Sequence, residues 1–286
     1  VSSLVKGSCD KGTISLQKEE QAFWELLEKN GDDVELKYAR DLPNDTPKFI
    51  LHMLAKFERD VAAFCFSDAG GLVLDAGCGN GNLLMRAIPS LKADYVGTDF
   101  SKNMLGRAAT RARDRDAKNA LFLQSSVDRL PFKDQSFDRV ICSGVLTCLP
   151  TVGRATAAMK EFQRVLKPGG VLVVDFFNSK SHFTIIRKHL FKEAINPPEY
   201  VSPLEFRVEL ERAGFEILAY RGFDFKLCQG YLFMSSLRPI IDPCFVQERF
   251  SRFMESRVVP RMPGLSLLGY RVYVKCRKRG SSAVSV

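Results

Sequence analysis

The segment Leu72-Val73-Leu74-Asp75-Ala76-Gly77-Cys78-Gly79-Asn80-Gly81-Asn82-Leu83-Leu84 decides the fold of this chain. It begins as a short apolar run, the pattern of a strand whose two faces are both covered. A GxGxG turn follows, and glycine admits the positive φ and the close backbone approach that such a turn needs. The next residues open a helix, whose first amides point at any polar group lying over the turn. Several nucleotide-binding folds share this order of strand, turn and helix, so the segment alone leaves the ligand open.

Three further segments narrow the reading. Tyr95-Val96-Gly97-Thr98-Asp99 reads as a second strand ending in a carboxylate, 18 residues beyond Gly81. That interval holds one helix and one strand, and an acid placed there can accept both hydroxyls of a ribose. The competing reading makes Asp99 or Ser101 the N-cap of a helix starting near Lys102. Ala120 to Phe132 and then Ser136 to Ser143 supply two more strand signals, and Val165-Leu166-Lys167-Pro168-Gly169-Gly170 feeds the apolar strand Val171 to Asp175.

At these residues the chain closely resembles the class I S-adenosylmethionine-dependent methyltransferases, nearest to the subgroup acting on small molecules, quinones and lipids. The resemblance runs from about Gly71 to Phe177, with a weaker echo in Leu204 to Gly222. It implies a Rossmann-like α/β fold: a seven-stranded, mostly parallel sheet with helices on both faces and an antiparallel last strand. The implied cofactor is S-adenosyl-L-methionine. Asp75 and the Gly77-Cys78-Gly79 turn would then face its methionine end, with the Cys78 thiol used in packing. Asp99 would hold the ribose, Phe100 would flank the adenine, and Ser126-Val127-Asp128 would edge that ring. Ser143 would lie near the transferable methyl. Two positions depart from the family pattern. Ser126 stands where relatives carry an acid, and a hydroxyl accepts a hydrogen bond more weakly than a carboxylate. Thr147-Cys148 stands where relatives often read Glu-His, which removes an ionisable pair.

Composition fits a folded enzyme. The 286 residues are 45% hydrophobic and 26% charged, ordinary globular values that argue against wholesale disorder. No apolar run reaches membrane-spanning length and no signal-like h-region opens the sequence, so the expectation is a cytoplasmic protein. Eight cysteines are spread singly without a CxxC pair, and there are three histidines, so reduced thiols and no metal site are expected.

Periodicity divides the chain into four parts. Residues 1–66 read as an N-terminal tail and helical cap, with helical spacing over Gln17 to Lys29 and Pro47 to Phe66. Residues 67–227 form the cofactor-binding core. They include a helix that Ser202 caps and Pro203 opens, and a strand over Phe215 to Phe225. Residues 228–268 are an aromatic- and proline-rich insertion of about 40 residues, long enough to act as a substrate lid. Residues 269–286 hold the last strand, Tyr270 to Cys276, and a basic tail.

Lys and Arg number 42 against 33 Asp and Glu. The excess lies late: Arg249, Arg252, Arg257, Arg261, Arg271, Lys275, Arg277, Lys278 and Arg279 face only Glu248 and Glu255 between Phe245 and Gly280. Such a stretch is either a solvated face or a contact for an acidic partner, with an anionic membrane surface the leading candidate. RNA is the weaker alternative, because no RNA-binding module is recognisable. A catalytically silent cofactor-binding scaffold is a third reading. His182, just after the fifth core strand, is the candidate general base. Tyr38, Tyr200 and Tyr231 are the substrate candidates, and Arg40 is a second cover for the cofactor. Asn196-Pro197-Pro198-Glu199-Tyr200 resembles an amine-gripping motif but follows the wrong strand, and it reads as a loop. Oligomeric state is left open.

Overall fold

The apolar runs become the centre of a twisted sheet in the structure, a computed structural model that describes residues 48–149, 151–190, 192, 199–225 and 246–280. The strands are β1 (Leu72–Ala76), β2 (Asp94–Asp99), β3 (Ala120–Gln124), β4 (Phe137–Cys142), β5 (Leu166–Asn178), β6 (Tyr200–Val201), β7 (Phe215–Phe223) and β8 (Arg271–Lys278). Their order is β3-β2-β1-β4-β5-β8-β7. The first five are parallel, and β8 runs antiparallel between β5 and β7. The order reverses at β1, the switch point where open α/β sheets bind ligands at the carboxyl ends of their strands.

Eight strands replace the seven expected. The addition is β6, two residues that pair with Phe177 and Asn178 of β5. Tyr200 therefore begins a strand rather than closing a loop, because β5 runs past the end of β4 and leaves that edge unpaired.

The helices are α1 (Lys48–Phe66), α2 (Asn82–Ala87), α3 (Lys102–Asp114), α4 (Val152–Val165), α5 (His182–Leu190), α6 (Pro203–Arg212) and α7 (Val246–Phe253). One face of the sheet buries Leu74, Val140, Leu172, Val174 and Val274 with Met159 and Phe162 of α4. The other buries Val73, Ile141, Val173 and Tyr273 with Val61, Ala62 and Cys65 of α1. Local chemistry sets several helix ends. Ser101 accepts the Met104 amide at 3.2 Å and caps α3, so the cap falls to Ser101 and not to Asp99. Ser202 and Glu205 form a reciprocal capping box at α6, with Pro203 in the first turn.

Long-range polar contacts fix α1 over the sheet. Arg139 on β4 donates to the carbonyls of Cys65 and Ser67, at 2.6 and 2.7 Å. A cation there satisfies orphan carbonyls and complements the helix dipole. Lys275 of β8 reaches Ser67 Oγ at 2.7 Å. Lys56 of α1 pairs with the buried Glu255, in the π-helical turn Met254–Val258 that continues α7. Part of the 228–268 insertion is thereby tied to the cap. Among the described residues, no helix is long and apolar enough to cross a membrane.

Candidate active site

The glycine turn is built by backbone bonds to the neighbouring strand. Gly77 and Cys78 both donate to the Thr98 carbonyl, at 2.7 and 2.8 Å. Gly77, Gly79 and Gly81 all have positive φ. A Cβ on Gly77 would lie 2.2 Å from Val145, whereas one on Gly79 would meet nothing within 4 Å. The backbone at Gly79 thus faces open space, where a ligand can approach the main chain. Arg111 of α3 fastens the far side of the turn through the Asn80 carbonyl and Asn82 Oδ1, at 2.8 and 2.7 Å.

Asp99 sits beside that opening, half-buried at the end of β2. One carboxylate oxygen accepts the Gly79 amide at 2.8 Å and the other the Ser101 amide at 2.9 Å. A carboxylate offers about four lone-pair sites on two oxygens, so receiving these two amides does not by itself exhaust its capacity as an acceptor. Asp75, at the end of β1, is buried at 1% exposure and accepts the Tyr95 hydroxyl at 2.7 Å. Burial drives its pKa up to about 7, the Tyr95 hydrogen bond opposes the rise, and the charge of Asp99 adds to it. A buried carboxyl poised this way gains most from a cationic ligand group. Cys78 is buried against Gly97, and burial pushes its thiol pKa well up, which makes it an inert packing group.

The Ser126-Val127-Asp128 segment is more engaged than its sequence indicates. Ser126 Oγ donates to Asp128 Oδ1 at 2.5 Å and accepts from Arg154 Nη2 at 3.2 Å. Arg154, on α4, also pairs with the Asp128 carboxylate. This clamp holds the loop, and Arg154 went unread because helix and loop meet only in the fold. Gln124 Nε2 bonds the Phe100 carbonyl at 2.9 Å, joining the ends of β3 and β2.

At the end of β4, Ser143 Oγ shares a 2.6 Å hydrogen bond with the Tyr273 hydroxyl. Asp175 of β5 accepts the Gly144 amide at 2.6 Å and Arg271 Nε at 2.5 Å. The rings of Phe57, Phe177 and Tyr273 lie 5.4–5.6 Å from the Arg271 guanidinium carbon. Burial works against the Arg271 charge, but the adjacent Asp175 outweighs it and raises the pKa. Of the nine late basic residues, then, Arg271 is internal. Lys275 serves α1, and Lys278 donates to the Leu166 carbonyl at 2.7 Å inside the sheet.

The structure brings Asp75, Gly77, Cys78, Gly79 and Asp99 together at one site, and joins Ser143 to a neighbouring polar group with Asp175 and Arg271. His182 opens α5 with its side chain exposed. Tyr200 is buried, its hydroxyl 2.9 Å from that of Tyr270 in a cluster with Phe177 and Phe183. Tyr38, Arg40 and Tyr231 lie outside the described residues. No group of three or more metal-ligating side chains occurs among the described residues.

A doubly wound sheet with a glycine turn and a strand-end acid at its switch point defines a nucleotide-cofactor enzyme. A family model described as a methyltransferase domain matches residues 67–211, and the chain belongs to the class I S-adenosylmethionine-dependent methyltransferases. It is 29% identical over 213 residues to the ubiquinone/menaquinone biosynthesis C-methyltransferase UbiE of Rickettsia felis, covering 63% of this chain and 82% of that protein. The protein of the same name from Shewanella sp. strain W3-18-1 is 32% identical over 151 residues, covering 52% of this chain and 58% of its own length. The chain thus spans little more than half of that relative. Among solved structures, magnesium protoporphyrin IX methyltransferase from Synechocystis PCC 6803, with bound SAH (S-adenosylhomocysteine), superposes with a TM-score of 0.58 at 19% identity, covering 93% of this chain and 99% of the other. At that identity the likeness is one of fold.

The Asp75 titration has a measurable consequence. Its folded pKa of about 7 lies above the ordinary 3.8, so the unfolded chain releases this proton first as pH rises. Stability is therefore highest below about pH 4 as far as this group is concerned, and falls as pH rises toward 7. Asp75→Asn keeps an acceptor for Tyr95 and removes the titration. Urea unfolding between pH 4 and 8 is expected to show a shallower decline in the variant than in wild type. Parallel curves would contradict the assignment.

Proposed function

We propose that this protein transfers a methyl group from S-adenosylmethionine to a small or lipid-like acceptor. The observation that carries the proposal is the half-buried Asp99 carboxylate bonded to the Gly79 amide, beside backbone open to a ligand. In this reading Asp99 holds the ribose hydroxyls, while Asp75 and the glycine turn face the ammonium end of the donor. Phe100 and the clamped Ser126-Val127-Asp128 loop take the adenine, and Ser143 lies near the methyl. When bound, the sulfonium supplies an electrophilic methyl group. The chain's own residues then act by orienting both partners and excluding water. Thr147-Cys148 offers no carboxylate-imidazole pair, which favours an acceptor whose nucleophile is an amine or an already activated carbon.

A small acceptor is supported by the aromatic surroundings of Arg271, where the rings of Phe57 on the tethered α1, Phe177 and Tyr273 pack around the guanidinium. A lipid-like acceptor is supported by the surface around α7. Phe253 and Met262 are exposed there at 54% and 57%, and with Arg257, Val258 and Arg261 they line an open cleft of about 640 Å³. Apolar side chains interleaved with arginine suit an anionic membrane surface.

The test supplies S-adenosylmethionine with three acceptor pools: water-soluble metabolites, lipids in phosphatidylglycerol vesicles, and total RNA. SAH is expected to accumulate with the first or second pool, and cosedimentation with the vesicles should weaken as salt rises. Accumulation with RNA alone would replace this reading, and none with any pool would favour a silent scaffold.

A further inference from the structure

We propose that Arg271 anchors an acidic oxygen on the methyl acceptor, a carboxylate or an ionised phenol, so that the acceptor is a small apolar monoanion. This rests on the methyltransferase reading and names the substrate class of that site.

Strand register places the residue. Asp75 lies across from Ile141, Ile141 from Val173, and Asp175 from Tyr273. Side chains alternate along a strand, so Asp75, Ser143 and Asp175 share one face near the carboxyl ends of β1, β4 and β5. Arg271 pairs with Phe177, one step further toward that edge, on the same face as Tyr273. The guanidinium therefore stands over the sheet end that carries the glycine turn.

Its hydrogen bonding is incomplete. Arg271 is 9% exposed, and Nε donates to Asp175. Nη1 and Nη2 have no acceptor among the described residues. Neither Nη is among the fully buried, partnerless polar atoms of the described residues, so both can be reached by a ligand. An anionic oxygen is the group that best answers a charged donor fork. Three aromatic rings surround the guanidinium, and a ring face offers no strong acceptor. Gly144 keeps space beside the fork: a Cβ there would come within 2.7 Å of Nη2. Asp175 already balances the charge of Arg271, so the site does not neutralise a phosphate dianion. A single negative oxygen on an apolar body fits it, with carboxylate able to bridge both amines.

The experiment titrates SAH-saturated protein with two matched pairs, benzoate against benzamide and 4-nitrophenolate against 4-nitroanisole. At least one anion is expected to bind about tenfold or more tightly than its neutral partner, in line with charge-assisted hydrogen bonds. The pair that shows the preference identifies the oxygen. If it is the phenolate, its visible absorption will report ionisation at lower pH when bound. Asp175→Asn/Arg271→Gln removes both charges together and should abolish the preference while SAH still binds. Equal affinity within both pairs in wild type overturns the proposal, and so does a preference that survives in the double variant. Failure of the wild type to bind SAH would instead refute the cofactor reading, and this inference with it.

Discussion

Asp99→Ala is expected to weaken SAH binding by at least about a hundredfold, as measured by calorimetric titration. The carboxylate serves two structures at once. In the free protein it receives the Gly79 and Ser101 amides, and with cofactor present it would also receive the ribose hydroxyls. Charge-assisted hydrogen bonds contribute roughly 1.5–3 kcal/mol each, so losing two to the ligand accounts for that factor before any loosening of the turn. Asp99→Asn separates the contributions. Its amide nitrogen cannot accept from Gly79 or Ser101, whichever side it faces, so one anchor of the turn is lost while one oxygen is kept. An intermediate affinity is expected. A folded Asp99→Ala protein that binds SAH like wild type would show that the acid is no part of the cofactor site.

The second large effect concerns stability. Asp175→Ala leaves the buried Arg271 without its counter-charge and the Gly144 amide without its acceptor. Removing one partner of a buried ion pair typically costs about 3–5 kcal/mol, and urea denaturation should register a loss of that order. Converting both residues, as in Asp175→Ala/Arg271→Met, should recover much of it, because an apolar pair leaves no uncompensated charge. A single variant within about 1 kcal/mol of wild type would mean that water reaches the pair freely, against the burial seen here.

The parts of this molecule that were legible in its sequence are those whose partners lie close along the chain. The glycine turn, the acid at the end of β2 and the Ser202 cap each lie within a segment of one to three elements, and their geometry follows from residue type. The apolar runs likewise give parallel strands and, with them, the switch point. What escaped was pairing across long separations. Arg271 counted as one more cation in a basic stretch, since nothing local marks Asp175, 96 residues earlier, as its partner. Alternation in Arg271-Val272-Tyr273-Val274-Lys275-Cys276 gave a clue: both faces of a central strand are covered, so its cations must turn inward and find partners. Arg154 was hidden in the same way, since its contacts with Ser126 and Asp128 join a helix to a loop. The two-residue β6 was too short to carry a pattern at all.

The position of β8 has a consequence for the order in which the molecule is made. This strand lies between β5 and β7, yet follows both in sequence. A ribosome therefore releases β1 to β5, with the complete glycine turn and Asp99, well before residues 271–278 emerge. Until then β5 has an open edge, β7 has no neighbour, and Asp175 waits without Arg271. On the proposed site assignment, the residues for the donor are made before the last strand and Arg271 only with it. A chain ending before residue 271 is therefore expected to carry the glycine turn and Asp99 but not the proposed anchor for the acceptor.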